Sequence, residues 1–310
     1  MKTVDGTNLD HVHFKWTPTN KPVETVKPGE DFRVIIPDSS TMQIQETYTT
    51  ADLGKIDGSK FDGAVGPIYI EGAEPGDSIE INLKELKTGK WGWTAIIPDF
   101  GFLANKFPET LVIWDLEGGF GKARGDFLNG VKVPLEPFLG VVGVAPKEGE
   151  FGMIPPQHFG GNMDNRLLRK GSNLFLPVQV EGALLSFADP HGAQGDGEVC
   201  GTAIETSADI VASVKLHKAT GQKFPKLRSE ESFSGKQLVV MGIDPDLKVA
   251  AANATMDMIS HLQENYNMTG AEGYALCSVA GNLRISEIVD EPNYVVSMVL
   301  PEKLLENRKS

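Results

Sequence analysis

Alternating apolar runs punctuated by Pro-Gly turns constrain the fold of this chain more than any other feature. Lys27-Pro28-Gly29-Glu30 lies between a short strand-like run from Glu24 and the alternating run Asp31-Phe32-Arg33-Val34-Ile35-Ile36. Proline fixes φ at the first central position of a type II turn, and glycine takes the positive φ required at the second. The pattern returns in Pro67-Ile68-Tyr69-Ile70-Glu71-Gly72-Ala73, the turn Glu74-Pro75-Gly76-Asp77 and the run Ser78-Ile79-Glu80-Ile81-Asn82-Leu83. Both read as hairpin-like units. A third copy, Pro177-Val178-Gln179-Val180-Glu181-Gly182-Ala183, keeps the proline and the Glu-Gly-Ala ending, with Val for Ile at the apolar sites, and is an internal structural echo. It leads through Leu184-Leu185-Ser186-Phe187-Ala188 into Asp189-Pro190-His191-Gly192, which places His191 at the end of a buried strand.

Helix signals concentrate near the C-terminus. Asp244-Pro245 offers an N-cap followed by proline at the first helical position, and Val249, Ala252, Met256, Ile259 and Leu262 form an apolar stripe. Thr269-Gly270-Ala271-Glu272 has capping-box spacing, and Gly281 can close that second helix. Strand-like Leu283 to Val289 and Tyr294 to Leu300 follow. The expected fold is mainly β, sandwich-like with several hairpins, plus a smaller C-terminal α+β portion. One domain over 1–310 is expected, its β-rich body covering about 1–235 and the α+β portion about 236–310, because no linker composition separates them. The 34 glycines and 19 prolines are spread along the chain, as many tight turns require.

Charge narrows the partners. A net charge of −13 without a Lys/Arg cluster argues against nucleic acid, whose phosphates need such clusters. No apolar run approaches the roughly 20 residues that cross a bilayer, and Met1 to Asp10 is polar, so a cytoplasmic protein without a membrane partner is expected. Two cysteines, Cys200 and Cys277, make no disulfide framework. Cys200 has acids and apolar residues as near neighbours, which disfavour a thiolate, so it reads as a buried small residue.

Chemistry concentrates between 158 and 205. His158, Asn162, Asp164, Asn165, His191, Gln194, Asp196, Glu198 and Glu205 stand among Gly160, Gly161, Gly192, Gly195, Gly197 and Gly201. Glycines beside polar groups let the backbone bend tightly and approach a ligand. Carboxylates with imidazole suit zinc or a similar divalent ion, and carboxylates with carbonyls suit calcium. Hydrolysing an amide needs an activated water, a polarised carbonyl and an acid for the departing nitrogen, and this inventory suffices. A single Gly-Asp-Gly is usually only a turn; the density of acids is what lifts this segment. His11, His13 and His158 read more simply as strand or loop residues, and Glu71 and Glu181 as turn starters. Asp38, at a strand exit like Asp189, is a weaker candidate. No Gly-x-Ser-x-Gly elbow or phosphate-binding Gly-rich loop is present.

Several collinear motifs resemble the acetamidase/formamidase family. They are Gly66 to Ala73 with Pro75-Gly76-Asp77, Pro137-Phe138-Leu139-Gly140, Gly160-Gly161-Asn162-Met163-Asp164, Asp189 to Glu198 followed by Gly201-Thr202-Ala203-Ile204-Glu205, and Leu283 to Asp290. The resemblance implies a largely β homo-oligomer that hydrolyses formamide or acetamide to the acid and ammonia, with zinc or calcium bound. Carried onto this chain, it makes Asp164 and His191 metal contacts, with Glu205 or Asp38 completing the shell. Glu198 becomes the acid/base and Asp196 the residue that orients it, while Asn162 and Gln194 are the candidate substrate contacts. A calcium-stabilised, non-catalytic protein on the same scaffold, or a hydrolase of another small amide, is the alternative.

Overall fold

The Pro-Gly turns form as the sequence expects, but they join strands of different sheets. In a computed structural model, which describes residues 1–231 and 235–308, Gly29 and Gly76 have φ of 87° and 95°, and Glu30 and Asp77 donate their N–H to Lys27 and Glu74 at 3.0 and 3.1 Å. Glu24–Val26 pairs with Ala64–Ile70 in one sheet, whereas Asp31–Ile36 lies in another. Ala64–Ile70 and Ser78–Thr88 are divided in the same way. These units are therefore corners and not hairpins: alternation reveals that a strand has a buried face but not which strand it pairs with.

The larger sheet has nine strands, running in order Lys2–Asp5, Asp31–Ile36, Ala208–His217, Ser78–Thr88, Asn173–Pro177, Lys226–Glu231, Gly235–Asp244, Tyr294–Pro301 and Asn282–Glu287. A six-stranded sheet contains Gly160–Asn162, Phe138–Gly143, Leu185–His191, Ala64–Ile70, Val12–His13 and, beside Ala64–Ile70, Glu24–Val26. One continuous core lies between them, with Phe32 of the larger sheet and Phe187 of the smaller 6.2 Å apart. This is the sandwich expected for a mainly β chain. Trp91–Ile96, Thr110–Glu117, Phe120–Ala123 and Val133–Pro134 form a four-stranded sheet, and true hairpins occur there and at Lys226–Glu231/Gly235–Asp244.

The echoed segments meet each other. Ile70 N donates to Gly182 O and Gly182 N to Ala73 O, both at 2.9 Å, and Tyr69 Oη donates to Glu181 Oε1 at 2.8 Å. Gly72 and Gly182 share φ of 77° and 75°, so the repeated Glu-Gly serves the same left-handed bend twice. Val178 to Val180, however, lie beyond the strand Asn173–Pro177.

The C-terminal α+β portion continues the nine-stranded sheet rather than packing as an added body. Its helix Leu247–Tyr266 is capped by Asp246, whose side chain accepts from Lys248 N and Val249 N, and Asp244 stays in the preceding strand. The buried face is Ala250, Ala254, Met258, Ile259, Leu262 and Tyr266, while Val249 and Met256 are 42% and 60% exposed. The expected stripe was thus rotated. Gly242 explains why: a Cβ there would collide with Ala250 O and Ala254 N, so the sheet approaches the helix where its side chains are smallest. Gly270–Ala280 follows with the Thr269/Glu272 capping box in place. No helix among the described residues is long and apolar enough to cross a membrane.

Candidate active site

The strand Leu185–His191 lies between Phe138–Gly143 and Ala64–Ile70, and every residue in it is buried. Its end delivers Asp189 and His191 to the interior, where the His191 ring meets Phe138 edge-on, centroids 4.9 Å apart. Antiparallel to it, the chain around Glu205 is held by Gly192 N to Ile204 O at 2.7 Å and by reciprocal bonds with Trp93 at 2.9 and 2.8 Å. Asp164 arrives from beyond the strand Gly160–Asn162, with its N–H donated to Gly140 O at 3.3 Å. Glu198 comes from the glycine-rich loop, tied to the C-terminal strands by Gly197 N to Ser286 O at 3.0 Å.

His191 is the hub. Its Nε2 stands 2.9 Å from Asp189 Oδ2, 3.0 Å from Glu205 Oε2 and 4.0 Å from Glu198 Oε1, and its Nδ1 3.8 Å from Asp164 Oδ1. None of these approaches has hydrogen-bond alignment, and both Asp164 carboxylate oxygens, Asp189 Oδ1 and both ring nitrogens are buried without a hydrogen bond. Glu205 is fixed from outside: Ser39 Oγ donates to Oε2 at 2.8 Å and Ala203 N to Oε1 at 2.6 Å. Asp62 and Asp290 complete an acidic wall, and Asn162 Nδ2 donates to Asp290 Oδ2 at 3.0 Å.

So many buried carboxyls cannot all be ionised around one imidazole. Burial, reinforced by their acidic neighbours, pushes Asp62, Asp189, Glu198 and Asp290 far above the usual carboxyl range, and burial also raises Asp164. Glu287, whose Oε2 accepts from Val289 N and Asp290 N, is pushed by burial up to about 8. Glu205 goes the other way, because burial is outweighed by the charge of nearby His191, helped by the N–H of Ala203. Burial would depress His191, but Asp189 and Glu205 hold it well above its ordinary value. Backbone strain accompanies the electrostatics: Asp62, Asp164, Asp189 and Glu198 are non-glycine residues with φ of 53°, 41°, 53° and 47°.

Two overlapping groups of ligand atoms could hold a cation, each drawn together within 4.8 Å: Asp164, His191 and Glu198, and Asp189, His191 and Glu205. They border a cavity of about 210 Å³ whose other side is apolar, formed by Phe61, Ile97, Phe100 and Ile154. Asn162 lines it too. The other expected site residues lie elsewhere. Asp38 accepts from Ser40 N, Met42 N, Trp93 Nε1 and Ser40 Oγ, so its carboxylate braces the loop that presents Ser39. Asp196 is 35% exposed and faces Arg284 Nε at 3.7 Å, and it lines with Glu198 a second, more open pocket beside the glycine-rich loop. Gln194 donates from Nε2 to Asp164 O at 2.9 Å and thereby holds the acid's backbone. Asp62, Asp189 and Asp290 went unassigned from sequence. Asp189 is two residues from His191 on one strand and was within reach of the density argument, whereas Phe61-Asp62-Gly63 carries no local signal.

Comparison with known proteins agrees with this architecture. A model of the Acetamidase/Formamidase family matches residues 3–150 and 150–307. A formamidase from Methylophilus methylotrophus is 27% identical across 99% of this chain and 94% of its own length. An acetamidase from Mycolicibacterium smegmatis is 28% identical, covering 85% of this chain and 84% of its own. The crystal structure of an acetamidase from Bacillus halodurans superposes with a TM-score of 0.90 at 28% identity, covering 99% of both chains. The chain belongs to the acetamidase/formamidase family of amide-hydrolysing enzymes.

Proposed function

We propose that this chain hydrolyses short linear amides, formamide or acetamide, to the carboxylate and ammonia with the help of a bound divalent ion. The observation that carries the reading is His191 with Asp164, Asp189, Glu198 and Glu205 crowded together without hydrogen-bond alignment at the floor of a cavity of about 210 Å³. Unaligned close approach of acceptor atoms is what a cation site leaves when no proton can be shared along the contacts, so the donor set fits zinc or calcium. Asp189, His191 and Glu205 would hold the ion, with Asp164 at the other nitrogen of the ring, which leaves Glu198 for proton transfer. When bound, such an ion supplies Lewis acidity toward the amide carbonyl and lowers the pKa of water.

The chain's own groups supply the rest. Asn162, at the cavity edge, offers an amide to position the substrate. Glu198, its carboxyl kept protonated by burial and by Asp164, hands its proton to the amide nitrogen as the C–N bond breaks, and recovers one from the water whose oxygen bonds to the carbonyl carbon. Glu205, held by Ser39 and Ala203, fixes the His191 ring. Phe61, Ile97, Phe100 and Ile154 exclude bulk water and leave room for a small acyl group. A homo-oligomer is part of the same proposal, supported by the exposed Phe102, Leu103 and Phe107 beside the Phe100 wall.

The decisive experiment is elemental analysis of the purified protein coupled to an ammonia-release assay on formamide, acetamide and propionamide. Stoichiometric divalent metal with ammonia from the first two is the expected result. Metal-free protein with full turnover removes the ion from the proposal, and silence on all three amides removes the reaction.

A further inference from the structure

On the nine-stranded sheet, and sharing no lining residue with the cavity beside His191, a cavity of about 490 Å³ opens between the helix Leu247–Tyr266 and the strand Lys226–Glu231. That is more than twice the volume beside His191 and within the roughly 300–1,000 Å³ of small-molecule sites. Charges of both signs line it: Lys223, Lys226 and Arg228 from the strand and the loop before it, Asp257 and Glu264 from the helix. Asp257 and His261 are one turn apart and so project from the same helical face.

Two buried atoms there lack a hydrogen bond, Asp257 Oδ2 and His261 Nε2. Lys226 Nζ stands 3.5 Å from Asp257 Oδ2, with the two side chains only 15% and 18% exposed. His261 Nδ1 lies 3.3 Å from Asn265 Nδ2, which can only donate, so Nδ1 accepts and the ring hydrogen sits on Nε2. Burial, together with Lys226 and Arg228, pushes His261 down to about 4, which leaves that N–H a neutral donor at physiological pH. Arg228 is anchored through Nε to Glu302 Oε1 at 3.0 Å, holding its guanidinium at the cavity. The wall therefore offers a cluster of donors beside a carboxylate that has spare acceptor capacity.

We propose that this cavity binds a small dipolar ligand bearing both a carboxylate and an amino group, the chemical class of a free amino acid. The carboxylate lies against Lys226 and the His261 N–H, and the ammonium against Asp257. A simple anion would stand against Asp257 and Glu264, and a simple cation against Lys223 and Lys226; only a ligand of both signs matches both halves without burying an unpaired charge. Nothing in this site takes part in amide hydrolysis, so the inference stands independently of the proposed reaction.

Calorimetric titration of the full-length protein tests it, with glycine, L-alanine and L-glutamine as dipolar probes and acetate and ethylamine as the separate halves. Saturable binding of at least one dipolar probe is expected, about tenfold or more tighter than either half. His261→Phe and Asp257→Asn each weaken it about tenfold, and Lys223→Glu, at the exposed rim where folding is safe, weakens it as well. Ammonia release from acetamide stays at the level of the unsubstituted protein in all three. Absence of binding by all three dipolar probes overturns the proposal, as does acetate binding as tightly as glycine. Binding unaffected by Lys223→Glu and His261→Phe puts the ligand elsewhere and overturns it too.

Discussion

Gly140 leaves no room at its α-carbon for anything larger than hydrogen, because Asp189 Oδ2 occupies the place a Cβ would need. A Cβ there would come within 3.0 Å of both Asp189 Oδ2 and Asp164 Oδ1, so the two acids converge on His191 across a residue that has no side chain. Gly140→Ala must push one carboxylate away. The expected outcome is a fall of about 10²-fold in kcat, the scale of a roughly 1 Å misplacement, with a stability loss of about 1–3 kcal/mol from overpacking. Steady-state kinetics and thermal unfolding check it, and unchanged kcat in a folded variant would show that this convergence is not needed for the reaction.

Glu198→Gln separates the roles of proton donor and metal ligand. Glutamine keeps the shape and one oxygen but cannot carry the proton that burial holds on Glu198. Loss of about 10²–10⁴-fold in kcat is expected with the metal content kept, whereas His191→Ala loses both, since His191 belongs to each ligand group. Metal analysis of the two variants decides. If Glu198→Gln also empties the site, Glu198 is a ligand and the proton comes from elsewhere.

The fold was legible where the sequence carries local chemistry. Gly29, Gly76, Gly72 and Gly182 bend where their dipeptides say, and the Thr269/Glu272 box starts its helix. Partner choice was not legible: nothing in Pro28-Gly29 tells that the strands on either side enter different sheets. The helix face failed for the opposite reason, since apolar periodicity weights bulk while Gly242 rewards the small face of Ala250 and Ala254. At the site, Asp164, His191, Glu198 and Glu205 could be gathered because they lie within one glycine-rich stretch, and the structure brings them together. Asp62 and Asp290 reach it from more than 70 residues on either side of that stretch's ends. Only tertiary structure gives them a common cavity. Asp196, close to Glu198 in sequence, pairs with Arg284 from the C-terminal strand Asn282–Glu287, a partner that proximity in sequence could not name.

His13 makes stability depend on pH. Its ring meets Ser186 Oγ at 2.9 Å and packs edge-on against Trp16, and burial pushes its pKa down to about 4 from an ordinary 6.5. The unfolded chain therefore takes up a proton that the folded chain refuses. His13 contributes stability above pH 6.5 that is lost as pH falls through the window to about 4. The full shift corresponds to roughly 3 kcal/mol, a ceiling for a ring that keeps some contact with solvent. Chemical denaturation at pH 7.5, 6, 5 and 4 should show that decline, and His13→Gln should flatten part of it. Parallel curves for the two proteins would remove His13 as its source.

Acyl length is set by the apolar wall. Phe100 packs on Gly201, which also lines the cavity and sits so close to the ring that a Cβ there would collide with it. Ile154 stands on the same cavity of about 210 Å³. Each methylene that finds no room costs roughly 1–3 kcal/mol of discrimination, so kcat/KM should fall steeply from acetamide to propionamide and butyramide. Ile154→Ala removes three carbons from the wall without touching the acids around His191. Propionamide should then gain about tenfold relative to acetamide, while metal content and the rate on formamide stay unchanged. A uniform loss on every amide, with no change in their ratio, would mean that Ile154 supports the fold and that acyl length is limited elsewhere.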